Sequence, residues 1–275
     1  MRFKPQDCTF KPVRNDILSP GRRPLLEELA RRRLLVAFDY DGVLAPLAPS
    51  SGGRRMRPAT RRLLLRASSR YPTAVVSGRA YRDLSGLVGG AVPLLVGNHG
   101  FELLRPLPVP RDVLARVAGW RRELAHSLAR VPGASVEDKR STLSVHYALS
   151  PSRRAEEAVL SAAGELSGAR LVPGKKVVNV LPAHFPTKGD AVRALLEREG
   201  LETALYLGDD VTDEDVFALG QPAVVGVRVG PGRTLAPYRI AGQADVDVLL
   251  RILGELRRRS GRAGPGRQTK NGRKR

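Results

Sequence analysis

Leu34-Leu35-Val36-Ala37-Phe38-Asp39-Tyr40-Asp41-Gly42-Val43-Leu44 decides the fold. Its first five residues form a continuous apolar run, the signature of a parallel strand buried on both faces. Two carboxylates two residues apart follow directly. In extended chain that spacing puts both side chains on one face. Gly42 then lets the backbone turn sharply. In open parallel sheets the carboxyl edge of the strands is where ligands bind. Asp39 and Asp41 would repel each other there unless a cation or a shared proton intervened. A strand-capping loop is the plainer alternative. A calcium loop fits poorly, since the third acid and the glycine spacing of such loops are missing.

Outward from this strand the pattern repeats. A helical stretch runs from Pro58 to Arg70, a strand over Thr73–Val76, a short helix over Tyr81–Val88 and a strand over Pro93–Val96. The same rhythm returns later as a helix over Lys188–Glu199, a strand over Ala204–Leu207, a short helix opened by Thr212, a strand over Ala223–Val229 and a closing helix over Ala244–Arg258. Alternating strands and helices predict an α/β fold with a doubly wound parallel sheet. The rhythm breaks at Pro106, Pro108 and Pro110. A helix over Arg111–Arg130, strands near Ser135–Asp138 and Thr142–Ala148, a helix over Ser152–Ser167 and a strand pair around Pro173-Gly174 follow. This αββαββ block predicts an inserted smaller α/β domain over 106–182. The core is expected over 22–105 and 183–256, with an irregular segment over 1–21.

Composition narrows the function. With 42% hydrophobic residues the chain has material for a real core, it has no apolar run long enough to cross a bilayer, and its first residues lack the apolar stretch expected of a secretory signal. Cys8 is the single cysteine, so no intrachain disulfide forms. A cytoplasmic, monomeric protein is the expectation. The formal charge is +20, and 257–275 holds nine Lys or Arg with no acid. That segment predicts a basic disordered tail. It lacks the interleaved aromatics that stack on bases, so a nucleic-acid partner is not expected, although a polyanion-binding protein is the rival class.

Three further segments bear on chemistry. Gly208-Asp209-Asp210 leaves another apolar strand and should reach the same edge as Asp39. Asp213, Glu214 and Asp215 have a local explanation, because acids suit the first turn of a helix capped by Thr212. Asp209 and Asp210 precede that turn and lack it. A hard cation between Asp39 and Asp209 would suit Mg²⁺. Ser77-Gly78-Arg79 opens a helix after the second strand, either as a phosphate-binding turn or as an ordinary cap. Lys188 stands at a helix start, where its charge is disfavoured unless an anion lies nearby.

These segments, in this order, resemble the haloacid dehalogenase superfamily of phosphohydrolases. Together with Gly97-Asn98-His99-Gly100, Glu137-Asp138-Lys139 and His146-Tyr147, they are similar to the trehalose-6-phosphate phosphatase family over about Leu34 to Leu253. The resemblance implies a haloacid dehalogenase-like core with the inserted block as its cap. It implies Mg²⁺-dependent removal of phosphate from a small-molecule sugar phosphate, trehalose 6-phosphate, through an aspartyl phosphate. It assigns catalysis to Asp39 as nucleophile, Asp41 as acid and base, and Ser77 and Lys188 as phosphoryl ligands. Metal ligands would be Asp39, the Asp41 carbonyl and Asp209, with Asp210 nearby. Sugar or phosphate contacts would be Arg79, Asn98, His99, Gly100, Glu137, Asp138, Lys139, His146, Lys175 and Asn179. Taken singly, the histidines could be packed residues and Glu137-Asp138-Lys139 a solvated strand end. Two departures stand out: Asn179 occupies a place commonly held by glutamate, and Ala148 replaces a basic residue after His-Tyr. Both keep a related capped phosphatase, acting on glucosyl or mannosyl glycerate phosphate or on sucrose phosphate, in view.

Overall fold

The computed structural model describes residues 15–47, 55–105, 108–149, 152–174 and 176–262, with side chains to residue 259. In chain order the elements are α1 (Arg23–Arg31), β1 (Leu34–Phe38), α2 (Pro58–Ser68), β2 (Thr73–Val76), α3 (Tyr81–Val88), β3 (Leu94–Gly97) and β4 (Glu102–Leu103). Then come α4 (Arg111–Ser127), β5 (Ser135–Asp138), β6 (Leu143–His146), α5 (Arg153–Gly164), β7 (Ala169–Gly174) and β8 (Val177–Pro182). The chain closes with α6 (Lys188–Glu199), β9 (Thr203–Gly208), α7 (Glu214–Phe217), β10 (Val224–Val229), β11 (Tyr238–Ile240) and α8 (Gln243–Arg262).

The larger sheet runs β11-β10-β9-β1-β2-β3-β4, parallel except for β4, which lies antiparallel to β3. The chain steps from β1 to β2 and β3 on one side, then to β9, β10 and β11 on the other. β1 is therefore the topological switch point, and the crevice beyond its carboxyl end is the default ligand site of such a sheet. The parity of β1 explains how that crevice is furnished. Leu34, Val36 and Phe38 pack into the layer with α1, α2 and α8, while Leu35 and Ala37 pack with residues of α6 and α7. Asp39 continues the second set, towards the layer where Lys188 opens α6.

The smaller sheet, β5-β6-β8-β7, is antiparallel throughout. One face packs on α4 and α5 through Val113, Val117, Trp120, Leu124, Val145, Val159 and Val178. Strand alternation turns Glu137, Ser144 and Asn179 to the other face, where register aligns them as a polar row. Apolar burial dominates the stability of both layers, at about 25 cal/mol per Å².

Some expectations need correction. Helix α1 and the short edge strands β4 and β11 were not read from the sequence. The closing helix continues to Arg262, so 257–262 belong to α8 and not to a tail. Residues 263–275, on which the rest of the tail expectation falls, lie outside the described residues, as do 1–14. Among the described residues no helix is long and apolar enough to cross a membrane.

Candidate active site

Carboxylate oxygens of Asp39, Asp209 and Asp213 come within 4.8 Å of one another at the carboxyl edge of β1 and β9. All three residues are buried. Gly42, at φ +81, turns the chain away beyond Asp41, with its N–H donating to the Ala45 carbonyl at 2.7 Å. Asp39 Oδ1 accepts from the Tyr40 N–H at 2.7 Å, and Asp39 Oδ2 lies 3.2 Å from Lys188 Nζ. Burial first, then the charges of Asp213, Asp209 and Asp41, push the Asp39 carboxyl well above the usual range despite Lys188. The donors are all oxygen, negative and crowded. That is the chemistry of a hard divalent cation site, and Mg²⁺ fits it.

From the sequence, Asp213 has only the local explanation of an acid in a first helical turn, and the structure corrects this. Its Oδ1 accepts from Lys188 Nζ at 2.8 Å and from the Tyr206 hydroxyl at 2.7 Å. Its Oδ2 accepts the Asp209 N–H at 2.8 Å and the Asp210 N–H at 2.9 Å. With four donors in place, this carboxylate orients the Asp209 turn and Lys188. Burial works against the Lys188 charge, but Asp213 and Asp39 outweigh it and hold the ammonium above its ordinary pKa. The capping pair Thr187–Asp190 fixes the start of α6 behind it. Asp210 has a structural job too, as the residue that caps the Val211–Asp213 turn. It lines the pocket but stands outside the group of three acids.

Ser77 and Arg79 enter from the loop after β2. Ser77 Oγ accepts the Arg79 N–H at 3.2 Å and is buried in the pocket wall with Asp39, Asp41 and Lys188. Arg79 grips both oxygens of Asp41, at 2.6 and 2.7 Å. This fork-to-carboxylate geometry is the strong form of the ion pair.

The inserted sheet roofs the pocket. Glu137 binds His146 at 2.7 Å, and that bond lowers the Glu137 pKa. Ser144 Oγ donates to Asn179 Oδ1 at 2.6 Å, and Asn179 Nδ2 donates to the Val172 carbonyl at 3.2 Å. Lys139 Nζ reaches down to the Gly78 carbonyl at 3.2 Å. His99 is buried, with its ring beside Asn179. Burial, then Lys139 and Lys188, hold its pKa well below 6.5, so the ring is neutral.

Asp39, Asp41, Ser77, Arg79, His99, Glu137, Lys139, His146, Asn179, Lys188 and Asp210 thus share one pocket wall, while Asp209 lines the neighbouring cleft, with a carboxylate oxygen within 4.8 Å of one of Asp39. Three expected contacts do not face it. Both ends of the Asn98 amide are bound to Ser141 and Thr142. Gly100 packs against the Thr187 carbonyl. Asp138 pairs with Arg121 at 3.1 Å and lines the adjoining cleft. Lys175 lies outside the described residues. Sequence reading missed Asp213, Tyr206 and Ser144. A tyrosine inside an apolar strand and an acid four residues after Asp209 were the available signals.

A doubly wound sheet with this acid cluster and lysine at its switch point, roofed by an inserted antiparallel sheet, has the fold of solved sugar phosphatases of the haloacid dehalogenase superfamily. It superimposes on the C-terminal domain of a C. albicans trehalose-6-phosphate phosphatase with TM-score 0.72, covering 85% of this chain and 96% of that one at 23% identity. A sequence profile of the family described as trehalose-phosphatase matches residues 37–234. The chain belongs to the trehalose-phosphatase family. It is 35% identical over 236 residues to a bifunctional trehalose-6-phosphate synthase/phosphatase of Thermoproteus tenax, covering 82% of this chain and 32% of the relative. It is 34% identical over 205 residues to a trehalose-phosphate phosphatase of Mycobacterium avium, covering 69% of this chain and 52% of the relative. The chain thus spans about a third to a half of the length of these two relatives.

Proposed function

We propose that this protein hydrolyses trehalose 6-phosphate to trehalose and phosphate, in a Mg²⁺-dependent reaction through an aspartyl phosphate on Asp39. The observation that carries this reading is the meeting of Asp39, Asp209 and Lys188 under a polar cap face at the switch point. Asp39 and Asp209 would hold the ion, with the Asp41 carbonyl. When bound, Mg²⁺ supplies positive charge that offsets the acid cluster and the phosphoryl oxygens.

An Asp39 carboxylate oxygen attacks phosphorus, forming the Oδ–P bond as the bond from phosphorus to the sugar oxygen breaks. Asp41 gives its proton to that leaving oxygen, then takes one from the water whose oxygen attacks phosphorus. This second step frees phosphate and restores the Asp39 carboxylate. Asp41 is held by Arg79, so Arg79 must turn to the incoming ester before Asp41 can carry a proton. Lys188 and Ser77 stabilise the charge that spreads over the phosphoryl oxygens. Glu137, His146, His99 and Asn179 supply donors and acceptors for sugar hydroxyls, and the roof excludes water.

A second reading rests on Asn179. Its uncharged amide is already engaged by Ser144 and Val172, which weakens its hold on a sugar hydroxyl. A related capped phosphatase for another sugar phosphate would tolerate this. Phosphate release measured across trehalose 6-phosphate, sucrose phosphate and glucosyl and mannosyl glycerate phosphates separates the two. Highest kcat/KM on trehalose 6-phosphate is expected, and a clear preference for another ester would remove the specific substrate.

A further inference from the structure

Asn98, His99 and Gly100 are three successive residues with positive φ, at 50°, 59° and 116°. Non-glycine residues adopt this conformation in succession only when their surroundings hold them there. Here two sets of contacts do so. On the core side, the Asn98 N–H donates to the Arg79 carbonyl at 2.6 Å and the His99 N–H to the Ser77 carbonyl at 3.0 Å. The turn is thus tied to the loop that carries Ser77 and Arg79. Behind it, a Cβ on Gly100 would sit 2.3 Å from the Thr187 carbonyl oxygen, so the two crossings between core and cap touch there. One residue on, Phe101 stacks on Phe185 of the return crossing, with centroids 4.0 Å apart and planes 2° from parallel.

On the cap side the Asn98 side chain does the holding. Thr142 Oγ1 donates to Asn98 Oδ1 at 2.6 Å, and Asn98 Nδ2 donates to Ser141 Oγ. All three residues are at most 1% exposed. Hydrogen bonds in such a dry setting are stronger than exposed ones, and costly to leave half made. Ser141 and Thr142 lead directly into β6, which carries Ser144 and His146. A single residue therefore fixes the inserted sheet on one side and the Ser77–Arg79 loop on the other.

We propose that Asn98 is a positioning residue, which sets the seat of the cap's polar row over Asp39 without touching the substrate. The inference rests on the phosphatase reading above and goes beyond it. A sugar phosphate needs the roof in register with the phosphoryl site, whereas a small aryl ester needs the phosphoryl site alone. Loss of the clasp should therefore separate the two substrates.

The test compares kcat and KM of the full chain with Mg²⁺ on trehalose 6-phosphate and on p-nitrophenyl phosphate. The variants are Asn98→Ala, Thr142→Val and Thr142→Ser. Thr142→Val keeps the shape and leaves the Asn98 backbone undisturbed, which guards against misfolding of Asn98→Ala. The expected result is a fall of about tenfold or more in kcat/KM on the sugar ester for Asn98→Ala and Thr142→Val. The aryl ester should change by less than about threefold, and Thr142→Ser should behave as wild type. Parallel losses on both esters, or no loss on the sugar ester, would overturn the proposal. If the wild type turns over the aryl ester but not trehalose 6-phosphate, the substrate assignment fails on its own. The clasp is then read by the same ratio on whichever sugar phosphate of the panel the wild type does take.

Discussion

Replacing Asp213 with asparagine removes one charge from the most deeply buried carboxylate of the cluster and changes little in shape. Asp213 is 0% exposed and accepts from Lys188, Tyr206 and two backbone N–H groups. An asparagine presents one oxygen and one NH₂. Whichever way it turns, its NH₂ meets two donors, and each donor left unmatched costs about 1–3 kcal/mol. Losing one partner of a buried ion pair costs about 3–5 kcal/mol. Lys188 keeps Asp39 at 3.2 Å, so the low end applies. With about 3 kcal/mol for the ion pair and about 1 kcal/mol for each of the two unmatched donors, the expected destabilisation is about 5 kcal/mol, a large share of the 5–15 kcal/mol typical of folded domains. Urea titration should show a lower midpoint with the slope unchanged, and the melting temperature should drop by roughly 10 °C. A loss under about 1 kcal/mol, the worth of an exposed ion pair, would refute the reading of this cluster as one buried network.

Three other outcomes follow from the same geometry. His99 titrates well below its ordinary value because it is buried beside Lys139 and Lys188, so between its native and unfolded pKa values the unfolded chain binds the extra proton. Stability should then be full above about pH 6.5 and fall below it by at most about 1.4 kcal/mol per pH unit, and His99→Asn, which tolerates φ 59°, should remove that component of the urea midpoint's pH dependence. Gly100→Ala, at φ +116° with a Cβ 2.3 Å from the Thr187 oxygen, should lower stability by about 2 kcal/mol or more in thermal melts; a neutral result would contradict the packed crossing. Stripping Mg²⁺ with excess chelator should stop phosphate release, and adding Mg²⁺ back should restore it, whereas continued turnover in chelator would remove the metal role.

The core strands were legible because each is a short apolar run buried on both faces, and β1, β2, β9 and β10 carry that signal without help from neighbours. Helix α1 was not read, since Pro20 and Pro24 with a run of Arg and Glu mask Leu26 and Leu29, whose burial depends on contacts with α8. Strands β4 and β11 are two and three residues long and exist only through pairing. In the site, Asp39 and Asp209 announced themselves by leaving apolar strands. Asp213 did not, because an acid in a first helical turn already has a sufficient local explanation. Lys188 was legible by itself, but its pairing with Asp213, like that of Tyr206, becomes visible only when β9 and α6 are side by side. Asn98 was misplaced for the same reason: the hydroxyls that bind its amide lie 43 and 44 residues away.

The most direct test is the rate of phosphate release from trehalose 6-phosphate with saturating Mg²⁺ by Asp39→Asn beside wild type, on samples with matching melting curves. The proposed chemistry has no other nucleophile, so the variant should be inactive, with a loss of about 10³-fold or more. A folded Asp39→Asn protein that retained a tenth of the wild-type rate or more would contradict the aspartyl-phosphate mechanism.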